Sequence, residues 1–291
     1  MEKISFEDYS ALILPDLGGA LGCLHWRGIA LTQAYDASRL GRGDPARVGM
    51  FPMTPFAGRI ENARFEWRDG LHQVSRPPGE PHGLHGDGWL STWAVIGQTR
   101  ETIELEHCGD CGALAYRATL FYGLDAEGLK VSLTLRSDAR HPLPFGLGFH
   151  PWFARRPGAR VCFQAQRFWL EAPGGFPSTS ISLPQELDFA QGAPIPSTWR
   201  NNVYEGWHRR LAITYPDLNL KISMQASANL NWLMVYANPE LDYICFEPQS
   251  HRPAAHNSPG RGPRYGLMEL MPGETLTGEV HISAHSLLAT H

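Results

Sequence analysis

Val131-Ser132-Leu133-Thr134-Leu135-Arg136 places an apolar side chain at every second position, the pattern of a β-strand with one face buried and the other in water. The same period of two recurs in Leu220-Lys221-Ile222-Ser223-Met224-Gln225 and in Thr102-Ile103-Glu104-Leu105-Glu106. Further strands are expected over Leu211 to Tyr215, Val161 to Leu170, Leu230 to Ala237 and Glu279 to Ser283, separated by Gly, Pro, Asn and Asp clusters that close turns. Sheets wet on one face are usually antiparallel. No long segment carries helical periodicity; Asp36 to Arg47 has room for a short helix, against which Gly41, Gly43 and Pro45 count.

Composition points the same way. The 291 residues include 30 glycines and 23 prolines, about 18 % of the chain against a usual ~12 %, which favours many turns between short elements. No composition shift marks a linker and no fixed-period repeat suggests a propeller or solenoid. One domain over residues 1–291, all-β and built as a large antiparallel β-sandwich, is the expectation. The formal net charge is -4, and no basic run is present to track a phosphate backbone, so no nucleic acid partner is expected. The amino terminus lacks the apolar core of a signal peptide, and no apolar stretch approaches the ~18 residues of a membrane helix. Five cysteines, Cys23, Cys108, Cys111, Cys162 and Cys245, suit reduced thiols better than a disulfide framework. These features predict a soluble cytoplasmic protein with no membrane partner; a monomer or homodimer is expected, with nothing in the sequence to choose between them.

Four polar segments stand out. In Phe56-Ala57-Gly58-Arg59-Ile60-Glu61 an arginine sits among apolar residues; Arg59 either offers its fork of donors to a ligand or forms a structural ion pair with an acid such as Glu61. His82-Gly83-Leu84-His85-Gly86-Asp87-Gly88-Trp89 holds two histidines in a glycine-rich loop that lets imidazole and backbone approach a ligand closely. Metal ranks below ligand contact there, because the loop lacks helical ligand spacing, and either histidine has a purely structural alternative in capping the turn. Gly148-Phe149-His150-Pro151-Trp152-Phe153 places a histidine between aromatics whose flat faces suit sugars, the alternative being a satisfied core residue. Tyr243-Ile244-Cys245-Phe246-Glu247-Pro248-Gln249 is an apolar run ending at a carboxylate, which is rarely buried unless paired or functional. Cys108-Gly109-Asp110-Cys111 lacks the second pair of a zinc ribbon and reads as a hairpin turn.

Taken in order, these segments resemble the signature of the aldose 1-epimerase (galactose mutarotase) family: Gly58-Arg59-Ile60 with Arg64-Phe65, Leu84-His85-Gly86, His150-Pro151-Trp152-Phe153, Glu247-Pro248-Gln249 and Pro272-Gly273-Glu274-Thr275. Leu17-Gly18-Gly19-Ala20-Leu21 also resembles the family's opening, so the likeness spans nearly the whole chain. The resemblance implies a mutarotase-type supersandwich and interconversion of the α and β anomers of an aldohexose without metal or organic cofactor. It casts Glu247 as general base at the C1 hydroxyl and His150 as general acid at the ring oxygen. Arg59, His85, Asn201 and Gln249 would bind the sugar, and Trp152 would stack on it. A carboxylate beside an imidazole would raise the imidazole's pKa and be lowered in return, giving an anionic base and a cationic acid at one pH.

Three positions depart from the family pattern. Gly58 replaces an Asn, Ala154 replaces an Asn, and Asn201 stands where the family holds substrate with an Asp. An aspartate only accepts hydrogen bonds, whereas an asparagine must donate at one end, so hydroxyl recognition is expected to differ. Two other readings stay open on the sequence: a sugar-binding or regulatory protein without turnover, and a hexose-phosphate epimerase using cations such as Arg155 and Arg156.

Overall fold

The alternation around Leu133 builds the strand Gly128–Ser137, in which Leu129, Val131, Leu133 and Leu135 are buried while Lys130 and Arg136 are exposed. The computed structural model describes residues 1–36, 48–68, 70–258, 260 and 262–287. Among them, this strand is central in a sheet of nine that runs Ala94–Gln98, Thr102–Cys111, Leu114–Asp125, Gly128–Ser137, Thr275–Ser286, Leu220–Ala226, Arg210–Tyr215, Arg160–Phe163, Ala193–Pro194. A second sheet of eleven carries at its centre, side by side, Met50–Met53, Gly148–Ala154, Tyr243–Gln249, Trp232–Ala237 and Arg200–Glu205. The ladders joining these strands are antiparallel, and the two sheets form the expected large antiparallel β-sandwich. Its core joins Leu133, Ile222 and Val280 of the first sheet with Phe149, Phe153, Leu233 and Phe246 of the second. No helix among the described residues is long and apolar enough to cross a membrane.

Packing of this kind makes volume loss costly. Leu133 is fully buried, and Leu133→Ala is expected to lower unfolding free energy by about 2–5 kcal/mol through lost burial and the cavity left behind. Urea unfolding followed by tryptophan fluorescence checks the value.

Two sequence expectations shift. Val161 to Leu170 is not one strand: Arg160–Phe163 belongs to the nine-stranded sheet and Arg167–Ala172 to the eleven-stranded one. Gln164 to Gln166 carry the chain from sheet to sheet, the crossing falling where polar residues separate two apolar stretches. Cys108 to Cys111 lie within the strand Thr102–Cys111, and the hairpin turns immediately after, at Gly112 and Ala113. The short helix considered over Asp36 to Arg47 falls, from residue 37 onward, outside the described residues.

The eleven-stranded sheet is not wet on its outer face where the functional candidates lie. Tyr243–Gln249 is buried at all seven positions. Ile244 and Phe246 point into the core between the sheets, whereas Tyr243 and Cys245 join Trp152 and Phe51 in a second cluster on the opposite side. Loops therefore cover this face and leave a hollow in it.

Candidate active site

Side-chain parity decides what faces that hollow. In Gly148–Ala154, Phe149 and Phe153 belong to the main core, so His150 and Trp152 project from the other face. In Tyr243–Gln249 the same rule turns Glu247 and Gln249 outward. The ladder pairs Gly148 with Gln249 and Trp152 with Cys245, which sets His150 opposite Glu247. Two residues far apart in the chain thus meet through register: Nε2 of His150 lies 3.2 Å from Oε1 of Glu247.

The pair opens on a cavity of about 320 Å³ whose lining includes Arg59, His85, His150, Trp152, Asn201, Glu247 and Gln249. That volume is at the small end of the ~300–1,000 Å³ usual for small-molecule sites. All seven candidate site residues are brought together. His82 is not among the lining residues; its Nδ1 accepts the backbone N–H of Asn62 at 3.1 Å, the capping role foreseen for one of the two histidines. Among the described residues no ion pair joins Arg59 to Glu61, and Arg59 lines the cavity instead.

Burial, rather than mutual attraction, governs the pair. His150 is 7 % and Glu247 3 % exposed. Burial pushes His150 down to about 3 and Glu247 up to about 8, the latter held back by the Gln249 hydrogen bond and by Arg59. Both shifts run against the expectation of a cationic imidazole beside an anionic carboxylate and favour the arrangement in which the shared proton rests on Glu247 and its O–H donates to Nε2 of His150. The pair keeps zero net charge, which a dry pocket favours. Gln249 donates from Nε2 to Oε2 of Glu247 at 3.1 Å, and its own Oε1 is buried without a partner among the described residues.

A stability consequence follows. Glu247 is raised from its ordinary value near 4.5 to about 8 in the folded chain. Its neutral form therefore favours the fold below about pH 4.5, and that advantage is lost progressively as pH rises towards 8. Glu247→Gln removes the loss, so the melting temperature of the variant minus that of the wild type is expected to widen between pH 5 and 8.5 in a thermal-shift series.

The remaining lining is built by close backbone approach. His85 has a left-handed backbone, φ 56°, and is followed by Gly86 at φ 74°. A Cβ at Gly86 would come within 2.0 Å of the Thr54 carbonyl oxygen, so only glycine lets the loop fold against that segment. The backbone N–H of Gly58 donates to Nδ1 of His85 at 3.1 Å, which leaves Nε2 to carry the proton. Burial, with His150 and Arg59 nearby, keeps His85 well below its ordinary value and hence neutral. Trp152 stacks on the imidazole of His150, centroids 4.8 Å apart at 23°, rather than offering that face to a ligand. Phe51, which the sequence did not single out, stacks on the same imidazole at 4.5 Å and 27°. Glu171 was also missed; it lies behind Asn201 and accepts from its Nδ2 at 2.7 Å. Neither carries a local motif, since each is placed by strand pairing.

His150, Cys245 and Glu247 hold one potential metal ligand each within 4.8 Å of one another, as do Asp125, Glu127 and His281 elsewhere. In the first group burial, with Glu247 beside it, holds the Cys245 thiol well above its ordinary value, so a thiolate ligand is disfavoured. Of the two arginines considered for phosphate, Arg155 donates to the Asn238 carbonyl and Arg156 pairs with Asp217, and neither lines the cavity.

Comparison with known proteins bears on the fold and the family. The Escherichia coli K12 protein YphB, itself uncharacterized, is 33 % identical over 241 residues, covering 80 % of this chain and 82 % of its own. A crystal structure of a candidate aldose 1-epimerase from Escherichia coli K12 superposes with a TM-score of 0.90 at 30 % identity, over 98 % of both chains. A galactose mutarotase-like protein from Clostridium acetobutylicum shares the fold, with a TM-score of 0.87 at 18 % identity over 98 % of this chain and 94 % of that one. The family model for aldose 1-epimerase matches residues 13–283, a span that contains every residue of the cavity described above. With signature, sandwich and family match coinciding over nearly its whole length, the chain belongs to the aldose 1-epimerase family.

Proposed function

We propose that the protein is a mutarotase that interconverts the α and β anomers of a free aldohexose or closely related sugar in the cavity between Arg59 and Glu247. The observation that carries this reading is the 3.2 Å contact between Nε2 of His150 and Oε1 of Glu247 at the wall of a cavity of about 320 Å³. Mutarotation needs one group to take the C1 hydroxyl proton and another to protonate the ring oxygen, and both oxygens are bonded to the same carbon, C1. A carboxylate and an imidazole in contact, holding one proton between them, are suited to that exchange.

In the proposed cycle the sugar enters between the two side chains, and the shared proton passes from Glu247 to His150 without changing the pair's net charge. Glu247 then removes the C1 hydroxyl proton while His150 protonates the ring oxygen, and the C1 to ring-oxygen bond breaks to give the open aldehyde. Rotation about C1–C2 presents the other carbonyl face. The same residues act in reverse, His150 taking back its proton as the ring closes and Glu247 returning one to O1. Arg59 and the Nε2–H of His85 supply donors for sugar oxygens, Gln249 steadies Glu247 through its Nε2, and Phe51 and Trp152 hold the imidazole in plane.

Among the described lining residues Arg59 is the sole cation, which supports a free sugar over a sugar phosphate. The test is anomer exchange by NMR saturation transfer or polarimetry across D-glucose, D-galactose and D-mannose. A rate above buffer for at least one sugar is expected; no gain for any, with sugar binding intact, would favour a binding protein instead.

A further inference from the structure

The family resemblance sets Asn201 where an acid is expected, and its surroundings show which end of its amide the cavity meets. It lies on Arg200–Glu205 opposite Tyr236 and lines the cavity. Its Nδ2 donates to Oε1 of Glu171 at 2.7 Å and towards the carbonyl oxygen of Gly175 at 3.4 Å. Glu171 is itself anchored, Oε2 accepting from Nε1 of Trp199 at 2.9 Å. The nitrogen and oxygen of an amide look alike in shape and are told apart by their partners. Both partners here are oxygens that accept and do not donate, so the reversed amide would set Oδ1 against a carboxylate and a carbonyl. Oδ1 has no hydrogen-bond partner among the described residues and is the end left for the cavity.

The turn at Gly175 completes this arrangement. Gly175 has φ +79°, and a Cβ there would lie 2.9 Å from Nδ2 of Asn201, 3.4 Å from Nη1 of Arg59 and 3.7 Å from Oε1 of Glu171. Arginine, asparagine and glutamate are therefore gathered around one backbone point at the rim, with room for no side chain between them.

We propose that Glu171 is a positioning residue that locks the Asn201 amide so that Asn201 acts as a neutral, acceptor-only group selecting a sugar hydroxyl. Resting on the mutarotase reading, this assigns the substrate a hydroxyl donor at the position facing Asn201, read without the negative charge an aspartate would add. Both donor hydrogens of Asn201 are occupied on the protein side, so the amide keeps the acceptor function of an acid at this place. Sugars lacking that hydroxyl, or carrying a methyl ether there, leave Oδ1 buried and unpaired and are disfavoured.

An exchange of the two side chains tests it. Asn201→Asp removes the donor and places two carboxyl groups against each other. Glu171→Gln leaves one oxygen to serve both Trp199 and Asn201. In the double variant the introduced glutamine donates from its Nε2 to the introduced aspartate and accepts from Trp199 at its Oε1, so an acceptor again faces the cavity, although it is now charged and the Gly175 carbonyl loses its donor. With whichever of D-glucose, D-galactose and D-mannose the wild type turns over fastest, each single variant is expected to raise KM about 10-fold, the size of one lost hydrogen bond, with a smaller effect on kcat. The double variant is expected to bring KM below that of either single variant, a partial rescue that loose structural damage does not produce. Unchanged KM in the singles, or a double variant showing the product of the two losses, overturns the proposal. A readout that needs no turnover separates this from the mutarotase reading: hydrogen exchange of the Asn201 side-chain amide by NMR. Slow exchange in wild type and fast exchange in Glu171→Ala is expected whether or not the sugar reacts, and equal rates in both overturn the assignment.

Discussion

Glu247→Gln is expected to lower catalysed anomer exchange by ~10²–10⁴-fold, the usual worth of one positioned proton-transfer group, while changing sugar affinity only a few-fold. Glutamine matches the shape of glutamic acid and can satisfy the same neighbours. Its Oε1 accepts from Gln249, which now donates to Oε2 of Glu247 at 3.1 Å, and its NH₂ donates to His150 where the carboxyl O–H does. What it lacks is the ability to take the C1 hydroxyl proton. The cavity wall, including Arg59, His85 and Asn201, is untouched. The outcome is read by saturation-transfer NMR for exchange and by titration calorimetry for binding on the same samples. Retained exchange would assign the base elsewhere; loss of binding together with exchange would mean that Glu247 chiefly holds the sugar. The thermal-shift series provides an internal check, because a variant that melts no lower than wild type at pH 8 has not lost activity through unfolding.

How much of this was legible beforehand depended on whether a residue's partner is local. Strands of the nine-stranded sheet declare themselves because one face is wet, and the alternation at Leu133 or Ile222 is written in the chain. Strands under the cavity are buried on both faces, so Tyr243 to Gln249 reads as an apolar run, and only the polar Glu247 and Gln249 betray the covered side. The family signature recovered Arg59, His85, His150, Trp152, Glu247 and Gln249 because each sits in a short motif, whereas Asn201 was found as a departure from the family pattern. Phe51, Glu171 and Gly175 carry no such motif and enter through register and turn geometry. The electrostatic expectation failed for a physical reason: sequence shows that an acid and an imidazole are present, whereas the sign of their pKa shifts depends on how dry the site is. The same holds for Asn201, whose donating end is consumed by a glutamate thirty residues away in the chain.

That dryness leads to the second large effect, centred on His150. His150→Gln is expected to reduce exchange by ~10²–10⁴-fold, and Glu247→Gln combined with it to be little worse than the more severe single variant, since two groups passing one proton act as a unit. The pH profile of the wild type discriminates further. The working form of the pair carries one proton, and it persists between the two values at which the pair gains a second proton or loses its last. With His150 pushed down to about 3 and Glu247 up to about 8, kcat/KM is expected to stay flat through pH 7 and to fall only above about pH 8. An unperturbed pair would behave differently: with carboxylate and imidazole near their ordinary 4.5 and 6.5, the rate would already be falling at pH 7. Buffer-subtracted exchange rates from pH 5 to pH 9.5 decide between the two. A decline centred near 6.5 would mean that solvent reaches His150 in the free enzyme despite the stack of Phe51 and Trp152, whereas a plateau to pH 8 is the result expected of a closed, uncharged pair.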